Sequence, residues 1–456
     1  MNNYDLIVLG GGPGGYSAAF RAAELGKKVA IVDDNDLGGV CLNWGCIPTK
    51  SLLKNAEVMD LINASNDYGI SVKDVEIDFQ FIIDRSIKAR QRLSKGIHYL
   101  VRKNNVDFYP GFGKFIDNKS IEIDGAQISA QNFIIATGSK PKMLENINTD
   151  SEKIMYSKDV FTMKELPQSI TIIGGGAIGV EFAYFFNSFG TDVTIIEAED
   201  RLLPNEDKEV SSWLEKSFKK RKINIITNTI AKDIDDEKII VSIGVEGNSS
   251  GFGLEDLGIE IGNNNHIVVD DNGKTNIDNI YAVGDVSGHL ALVNVGEREA
   301  RHAVVKMFAD FPVKPIHYEN ISTIMFLSPE VASVGINEQK AQELNIPIRV
   351  SKVDYSTIAR AIAMRKTNGF FKIIVSDDED MKVLGMRAIG EHASSAIQSV
   401  SLLMYMNKGI DELAHMIHPH PSIVEGVQEC VRMLIGKSVY KSSIFKDKLK
   451  CYKRTV

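Results

Sequence analysis

One pattern occurs twice in this chain: an apolar run, a glycine-rich turn, a helix-like stretch and a second apolar run that ends at an acidic residue. The first copy comprises an apolar run at 4–9, a turn at 10–15, helical periodicity over 16–25 and an apolar run at 29–32 before Asp33. The second comprises 169–173, 174–179, 180–189 and 192–196 before Glu197. The repeat predicts two doubly wound α/β units, because strand, turn, helix and strand is the order of a parallel crossover.

Both turns have the spacing Gly-x-Gly-x-x-Gly, which is typical of dinucleotide binding. The first glycine makes the tight turn, the second lets the backbone approach a pyrophosphate, and the third lets the helix pack against the strand. The glycines in these roles are Gly10, Gly12 and Gly15 in the first copy and Gly174, Gly176 and Gly179 in the second. One such motif is a weak indication, whereas two in the same context predict two bound dinucleotides.

The acids at the ends of the second strands indicate which dinucleotides bind. A carboxylate there accepts hydrogen bonds from a ribose diol and repels a 2′-phosphate. Glu197 is followed by Glu199 and Asp200, which predicts NAD rather than NADP at the second unit. Arg201 is the one opposing charge, and a solvated Glu197 without a ligand is the alternative.

Two cysteines, Cys41 and Cys46, follow the first unit with four residues between them. On a regular helix their Cα atoms would be about 7.5 Å apart along the axis, which exceeds the usual span of a disulfide. A redox dithiol therefore requires an irregular turn, which Gly45 permits. The alternative is a zinc site, but Cys430 and Cys451 are far from this pair and from each other in the sequence.

Composition narrows the class of protein. The chain has 456 residues, of which 44% are hydrophobic and 25% charged, and its formal net charge is −8. Nothing in this balance favours nucleic acid or an anionic membrane as partner. Four cysteines are too few for a disulfide-built secreted scaffold, so we expect a reducing, cytoplasmic compartment. Apolar runs of 18 residues or more, as a membrane helix needs, do not occur.

The remaining segments suggest further ligand loops and a third domain. Thr137-Gly138 and Gly284-Asp285 each follow an apolar strand, and such loops bind ligands in open α/β sheets. Asp285 as the cap of the next helix is the alternative. After about residue 318, strand-like runs at 330–335, 370–375 and 382–385 and helical runs at 394–406 and 423–435 predict an α+β domain. The lysine- and serine-rich tail at 437–456 is expected to be partly mobile.

Taken together, these features resemble the FAD-dependent pyridine nucleotide-disulfide oxidoreductases over nearly the whole chain. The run from Gly38 to Lys50, the acid Glu197 and the motif at 420–425 look most like the branch that oxidises dihydrolipoamide. The resemblance implies two Rossmann-like FAD/NAD(P)-binding domains and a C-terminal α+β dimerisation domain. The implied segments are 1–144 for FAD, 145–273 for NAD, 274–318 for FAD again and 319–456 for the interface.

The resemblance also assigns roles to single residues. Cys41 is the thiol that exchanges with substrate, and Cys46 is the thiol beside the flavin. Lys50 and Glu181 resemble the ion pair near the flavin, and Lys50 is counted with the cofactor-binding residues. His420 is the catalytic base, which reaches the dithiol of the opposite subunit, and Glu425 orients its imidazole. Ser422 and Glu425 also fit a helix capping box, so a purely structural role for Glu425 is the alternative.

The implied enzyme is a homodimer that binds FAD tightly but non-covalently and uses NAD⁺/NADH as co-substrate, without a metal. Its substrate is a dihydrolipoyl group on an acyltransferase or on a glycine-cleavage carrier protein. One alternative is an NAD(P)H-dependent reductase of a small disulfide such as glutathione. Another is a flavoprotein subunit of a larger complex with little turnover of its own.

Overall fold

The computed structural model describes residues 3–144, 151–232, 234, 236–309 and 312–454. The chain divides into two compact units, one formed by residues 1–174 and 232–316 and the other by residues 175–231 and 317–456. The bounds of these two units differ from those of the four segments named above. The four segments remain a prediction.

The described residues form twenty strands and twelve α-helices. The strands are β1 (Asn3–Leu9), β2 (Val29–Asp33), β3 (Asp107–Pro110), β4 (Gly113–Asp117), β5 (Ser120–Ile123), β6 (Ala126–Ile135), β7 (Ser139–Pro141), β8 (Ile154–Met155), β9 (Ser169–Ile173), β10 (Asp192–Ile196), β11 (Asn224–Ile226), β12 (Lys238–Val241), β13 (Val245–Gly247), β14 (Ile280–Ala282), β15 (Thr323–Met325), β16 (Glu330–Gly335), β17 (Ile348–Asp354), β18 (Phe370–Ser376), β19 (Val383–Gly390) and β20 (Leu449–Arg454). The helices are α1 (Pro13–Glu24), α2 (Gly39–Asn43), α3 (Cys46–Asn63), α4 (Phe79–Lys103), α5 (Ala177–Ser188), α6 (Lys208–Lys220), α7 (Val293–Phe308), α8 (Glu338–Glu343), α9 (Ala359–Ala363), α10 (Ala393–Tyr405), α11 (Asp411–His415) and α12 (Glu425–Leu434).

The first unit is built on a seven-stranded sheet in the order β3-β2-β1-β6-β5-β4, with β14 paired to β6. The pairs β1–β2, β1–β6, β2–β3 and β6–β14 are parallel. Both faces of β1 are buried, because Leu6 and Val8 enter one apolar core and Ile7 and Leu9 enter another. A strand buried on both faces reads as a continuous apolar run, and the run at 4–9 predicted this strand correctly.

Parallel pairing brings three strand ends to one edge of this sheet. The carboxyl ends of β1, β6 and β14 lead into the turns at Gly10, Thr137 and Gly284, and the register pairs Leu9 with Ile135 and Ile135 with Ala282. Ligands of open α/β sheets bind outside this edge. Loops that are far apart in the sequence therefore meet at one place.

The second unit combines parallel strands β10 and β11 with an antiparallel sheet in the order β15-β16-β19-β18-β17-β20. Helices α10 and α12 cover this sheet over a core that includes Phe371, Val400 and Val427. The predicted α+β region is confirmed, and both long helices lie within two residues of their predicted bounds. The acidic run at 376–380 forms the connection between β18 and β19, as a hairpin loop should.

The tail contains a strand at residues 449–454 that the sequence did not indicate. These residues form β20, which pairs antiparallel with β17 and places Cys451 opposite Ser351. The strand was not apparent because four of its six residues are exposed, and an exposed edge strand shows few apolar residues. Across the residues described, helices with the length and apolarity of a membrane span are absent.

Candidate functional site

The first glycine turn is closed tightly by the backbone around it. Gly10 has φ +100°, and a Cβ there would lie 2.3 Å from the carbonyl oxygen of Ala136. A Cβ on Gly15 would lie 1.8 Å from the oxygen of Gly10. Neither position accepts a side chain, so helix α1 approaches β1 as a dinucleotide turn requires.

Asp33, at the end of β2, holds this turn from the side. Its carboxylate accepts hydrogen bonds from the N–H groups of Gly11 at 2.5 Å and Asn35 at 2.8 Å. Burial raises the pKa of Asp33, and the two backbone donors oppose that shift. The carboxylate therefore lies beside the N-terminus of α1.

The second copy repeats this arrangement residue by residue. Gly174 has φ +103°, and a Cβ there would lie 2.4 Å from the oxygen of Ser242. Glu197 accepts from the N–H of Gly175 at 2.6 Å and from the N–H of Glu199 at 2.9 Å. Glu197 as a whole is only 8% exposed. The acid thus lies behind the glycine turn in both copies of the motif, although one acid is aspartate and the other glutamate.

The loops after β6 and β14 carry the other predicted cofactor contacts. Thr137 donates from Oγ1 to the carbonyl of Asn248 at 2.6 Å, and Ser139 donates from Oγ to Asp285 at 2.7 Å. Burial raises the pKa of Asp285. Asp285 lies inside the short 3₁₀ helix at 284–287, and helix α7 begins later without a side-chain cap. The capping alternative for Asp285 is therefore wrong.

Glu299 is a residue of this site that the sequence reasoning missed. Its carboxylate accepts from the N–H of Gly284 at 2.7 Å and contacts Nδ1 of His289 at 3.0 Å. The hydrogen bond to Glu299 raises the pKa of His289. Glu299 thus holds the turn that carries Asp285. No motif in the sequence indicates this role of Glu299.

The dithiol has the irregular geometry that its spacing required. Helix α2 contains Cys41 and ends at Asn43, and α3 begins at Cys46. Between them Gly45 adopts φ −112° and ψ −109°, and a Cβ there would lie 2.9 Å from the oxygen of Val40. Trp44 is half-buried and donates its backbone N–H to Val40 at 3.0 Å. The break between the helices brings the two sulfurs together.

The two thiols differ electrostatically. A hydrogen bond to the Cys46 sulfur, followed by burial, raises the pKa of the Cys41 thiol, while Lys50 acts in the opposite direction. Cys46 is the first residue of the 18-residue helix α3, where the helix dipole favours a thiolate. The hydrogen bond and burial therefore favour the protonated form of Cys41.

Helix α4 fastens the segment that carries the dithiol. Asp36 accepts from Ser94 Oγ at 2.8 Å and contacts His98 Nε2 at 2.6 Å. Asn43, which is 1% exposed, donates from Nδ2 to the carbonyl of Asp36 at 2.7 Å, and Arg90 donates to the carbonyl of Asn43 at 3.3 Å. Sequence reasoning missed this set. Its only signal was the spacing of 90, 94 and 98, which lie on one helical face.

His420 and Glu425 lie together in the second unit. His420 Nδ1 is 2.8 Å from Glu425 Oε1, and Glu425 Oε2 accepts from the N–H of Ser422 at 2.9 Å. Burial raises the pKa of Glu425, but the hydrogen bonds from His420 and Ser422 outweigh it, so the net pKa is lowered. The His420 side chain is 71% exposed.

The structure shows only half of the predicted capping box. Glu425 takes the N–H of Ser422, but the first residue before α12 is Val424, which makes no side-chain cap. The carboxylate thus serves the turn and the imidazole at once. His418 is buried, and its Nδ1 contacts the carbonyl of Met416 at 3.2 Å.

Lys50 and Glu181 belong to different units, so their predicted pairing stays a prediction. Glu181 is 5% exposed, and its Oε1 accepts from the N–H of Phe326 at 2.9 Å within the second unit. Lys50 lies on the first turns of α3. Both lie on α-helices rather than on loops.

One acidic cluster has the composition of a metal site. Asp207, Glu209 and Glu338 offer carboxylate oxygens within 4.8 Å of one another. The ammonium of Lys372 lies among them, at 2.7 Å from Asp207, 2.9 Å from Glu338 and 3.2 Å from Glu209. A lysine therefore supplies the positive charge that a cation would bring.

The chain matches two family models. Residues 4–300 match the model of pyridine nucleotide-disulphide oxidoreductases, and residues 321–431 match the dimerisation domain of the same group. Dihydrolipoyl dehydrogenase of Zymomonas mobilis is 35% identical over 465 residues, which is 96% of this chain and 99% of the relative. The Bacillus subtilis dihydrolipoyl dehydrogenase is 35% identical over 472 residues, with 96% and 99% covered.

Solved structures agree with this comparison. LpdA of Mycobacterium tuberculosis superposes with a TM-score of 0.88 at 26% identity, covering 95% of this chain and 100% of that chain. The Cu(II) complex of the HOCl-induced flavoprotein disulfide reductase RclA of Escherichia coli has a TM-score of 0.86 at 26% identity, with 95% and 100% covered. The predicted fold, with two dinucleotide-binding domains and a dimerisation domain, is confirmed.

Proposed function

This chain belongs to the pyridine nucleotide-disulphide oxidoreductase family, and we propose that it is the flavoprotein that reoxidises protein-bound dihydrolipoamide with NAD⁺. The observation that carries the proposal is the hydrogen-bonded pair Cys41 and Cys46 beside the first glycine turn. Gly39, at the start of α2, is so close to this turn that a Cβ on it would lie 2.7 Å from the Cα of Gly12. The dithiol and the pyrophosphate turn are therefore neighbours.

The residues present fit both cofactors. The first turn and the loops after β6 and β14 suit FAD, and the second turn suits NAD, because a Cβ on Gly176 would meet only open space among the described residues. The residues assigned to FAD are Gly10, Gly12, Gly15, Asp33, Lys50, Thr137, Gly138, Gly284 and Asp285, and those assigned to NAD are Gly174, Gly176, Gly179 and Glu197. The proposed segments are 1–144 and 274–318 for FAD, 145–273 for NAD and 319–456 for the interface.

The chain's own thiols carry the first half of the reaction. With the pair oxidised, a substrate thiolate attacks Cys41 Sγ, the Cys41–Cys46 bond breaks, and Cys46 leaves as a thiolate. The second substrate thiol then attacks the mixed disulfide, which releases the lipoyl disulfide and leaves Cys41 reduced. Two electrons and the two thiol protons leave the substrate. The raised pKa of Cys41 and the helix N-terminus at Cys46 support this division of roles.

His420 accepts a proton from the substrate dithiol. Its Nδ1 is held by Glu425, so the imidazole presents Nε2 for proton transfer. The sequence separates His420 from the dithiol by more than 370 residues, and in the homodimer it serves the partner's dithiol. Bound FAD would take the electron pair from the dithiol, and NAD⁺ would remove it as hydride. Lys50 and Glu181 are proposed to hold charge next to the flavin.

The proposed partner is a lipoyl-bearing acyltransferase or a glycine-cleavage carrier protein, and the proposed compartment is the cytoplasm. The relatives' name, dihydrolipoyl dehydrogenase, supports a dihydrolipoyl group as substrate. The low cysteine content supports a reducing compartment such as the cytoplasm.

Rates with two substrates and two nicotinamides test the proposal. Dihydrolipoamide with NAD⁺ should turn over far faster than with NADP⁺, because Glu197 repels a 2′-phosphate. Glutathione disulfide with NADH or NADPH should give little turnover. Faster reduction of glutathione disulfide than oxidation of dihydrolipoamide would replace this function by that of a small-disulfide reductase.

A further inference from the structure

Helix α4 exposes a stripe of positive charge. We define the basic face as Arg85, Lys88, Arg92, Lys95, Arg102 and Lys103, all of which are exposed. Their spacing follows the helical period, so they lie on one side of α4. Opposite them, Ile83, Ser94 and Val101 are buried. From Arg85 to Arg102 the stripe is about 25 Å long at the rise of an α-helix.

The basic face is not explained by the folding of α4. The helix contains seven lysine or arginine residues and one acid, Asp84, within a chain whose net charge is −8. Like charges three or four residues apart destabilise a helix by about 0.2–0.5 kcal/mol per pair. Within the described chain, Lys88, Arg92 and Lys95 form no ion pair. The stability of α4 alone would favour acidic residues at some of the positions of the basic face.

The opposite side of α4 is attached to the dithiol segment. Ser94 and Arg90 hold Asp36 and Asn43, as described above. At the beginning of the basic face, Arg85 donates to Ser51 Oγ at 3.1 Å, five residues after Cys46. The stripe therefore begins beside the first turns of the dithiol helix. A protein bound on this face lies about one helix diameter, roughly 10–12 Å, from the segment that bears Cys41.

We propose that the basic face docks the acidic surface of the protein that carries the dihydrolipoyl group. The proposal rests on the proposed function and adds the charge of the partner to it. Opposite charge attracts such a carrier over a Debye length and raises its association rate about 10–1,000-fold at low salt. The face is positively charged and begins beside the dithiol helix, so an acidic protein that brings its own dithiol to this segment is the occupant that fits.

Salt dependence of kcat/KM tests the docking face. The probes are an isolated dihydrolipoylated lipoyl domain with net negative charge, a dihydrolipoyl-lysine peptide without net charge, and free dihydrolipoamide. Between about 20 mM and 300 mM salt, kcat/KM for the acidic domain should fall at least about tenfold. Rates for the peptide and for free dihydrolipoamide should stay within about twofold, since neither is steered by charge.

A charge-reversal pair assigns the effect to α4. Lys88→Glu with Arg92→Glu should remove the salt dependence and lower kcat/KM for the acidic domain at low salt about tenfold. The matched control, Lys216→Glu with Lys220→Glu, changes the net charge equally on exposed positions of α6 and should keep the effect. The oligomeric mass of both variants should equal that of the wild type.

The outcomes separate the docking face from the proposed function. If free dihydrolipoamide is not oxidised, the proposed function fails. If it is oxidised while the acidic domain shows no salt dependence, or while both charge-reversal pairs act alike, the docking face is refuted and the function stands. A loss of the dimer in the α4 variant would also refute it, because the face would then lie between two copies of the chain.

Discussion

Lys372 sits at the centre of the buried charge cluster, and its replacement by methionine should destabilise the second unit strongly. The lysine side chain is 0% exposed, and the side chains of Asp207 and Glu338 are 1% and 4% exposed. Methionine fills a similar volume but removes the ammonium from Asp207, while Glu209 keeps Lys352 and Glu338 keeps Arg454. Removing one partner of a buried ion pair costs about 3–5 kcal/mol. We expect a loss of this size in the free energy of unfolding at pH 7.5.

The stability lost by Lys372→Met should depend on pH in a definite direction. In the wild type, burial opposes ionisation of Asp207 and Glu209, but Lys372 and its neighbours lower their pKa values. Their contribution is therefore present above the unfolded values, about 3.9 and 4.3, and is lost only as the pH falls through the lower folded pKa. Without the ammonium, burial remains and raises the pKa of Asp207. Protonation of Asp207 then reduces the variant's loss of unfolding free energy as the pH falls from 7.5 to 5.

Urea unfolding at pH 7.5 and at pH 5 measures both effects. The wild type should change little between the two values, and Lys372→Met should recover part of its loss at pH 5. Lys340→Met is the control, because Lys340 forms an exposed pair with Glu343 at 3.1 Å, and such pairs contribute about 0–1 kcal/mol. Equal losses in the two variants, or a larger deficit at pH 5, would refute the reasoning.

Four other substitutions test single contacts. Glu197→Ala should raise the KM for NAD⁺ about 10–100-fold and narrow the preference over NADP⁺, as steady-state rates will show. Gly15→Ala should abolish flavin binding, measured by the flavin-to-protein absorbance ratio, because its Cβ would lie 1.8 Å from the oxygen of Gly10. Asp36→Ala should lower the free energy of unfolding by about 2 kcal/mol, since the hydrogen bonds to Ser94 and His98 are lost. Glu425→Gln should lower kcat at least about tenfold at unchanged flavin content, because an amide holds the Ser422 N–H but orients the imidazole differently.

The elements that carry cofactors were predictable because their chemistry restricts the residue types. Gly10 and Gly174 adopt φ values of +100° and +103°, which glycine tolerates and other residues rarely do. The apolar runs before them bury both faces of a strand, so their composition shows them directly. The break between α2 and α3 followed from the spacing of Cys41 and Cys46 alone.

The remaining contacts depend on pairing between distant segments. Asp36 meets Ser94 and His98 only because α4 packs on the dithiol segment. Lys372 meets Asp207 across 165 positions of sequence. Strand β20 owes its place to the free edge of β17 rather than to its own apolar content. Local pattern cannot supply such partners, since each residue alone is compatible with a solvated surface.

The central claim is that Cys41 exchanges with substrate while Cys46 faces the flavin, and reductive titration of two cysteine variants tests it most directly. One equivalent of reductant should give the wild type a long-wavelength absorbance band from a thiolate beside the flavin. Cys41→Ser should retain flavin and the capacity for this band but lose dihydrolipoamide turnover, whereas Cys46→Ser should lose both the band and turnover. A band that persists in Cys46→Ser, or wild-type turnover in Cys41→Ser, would contradict the assignment.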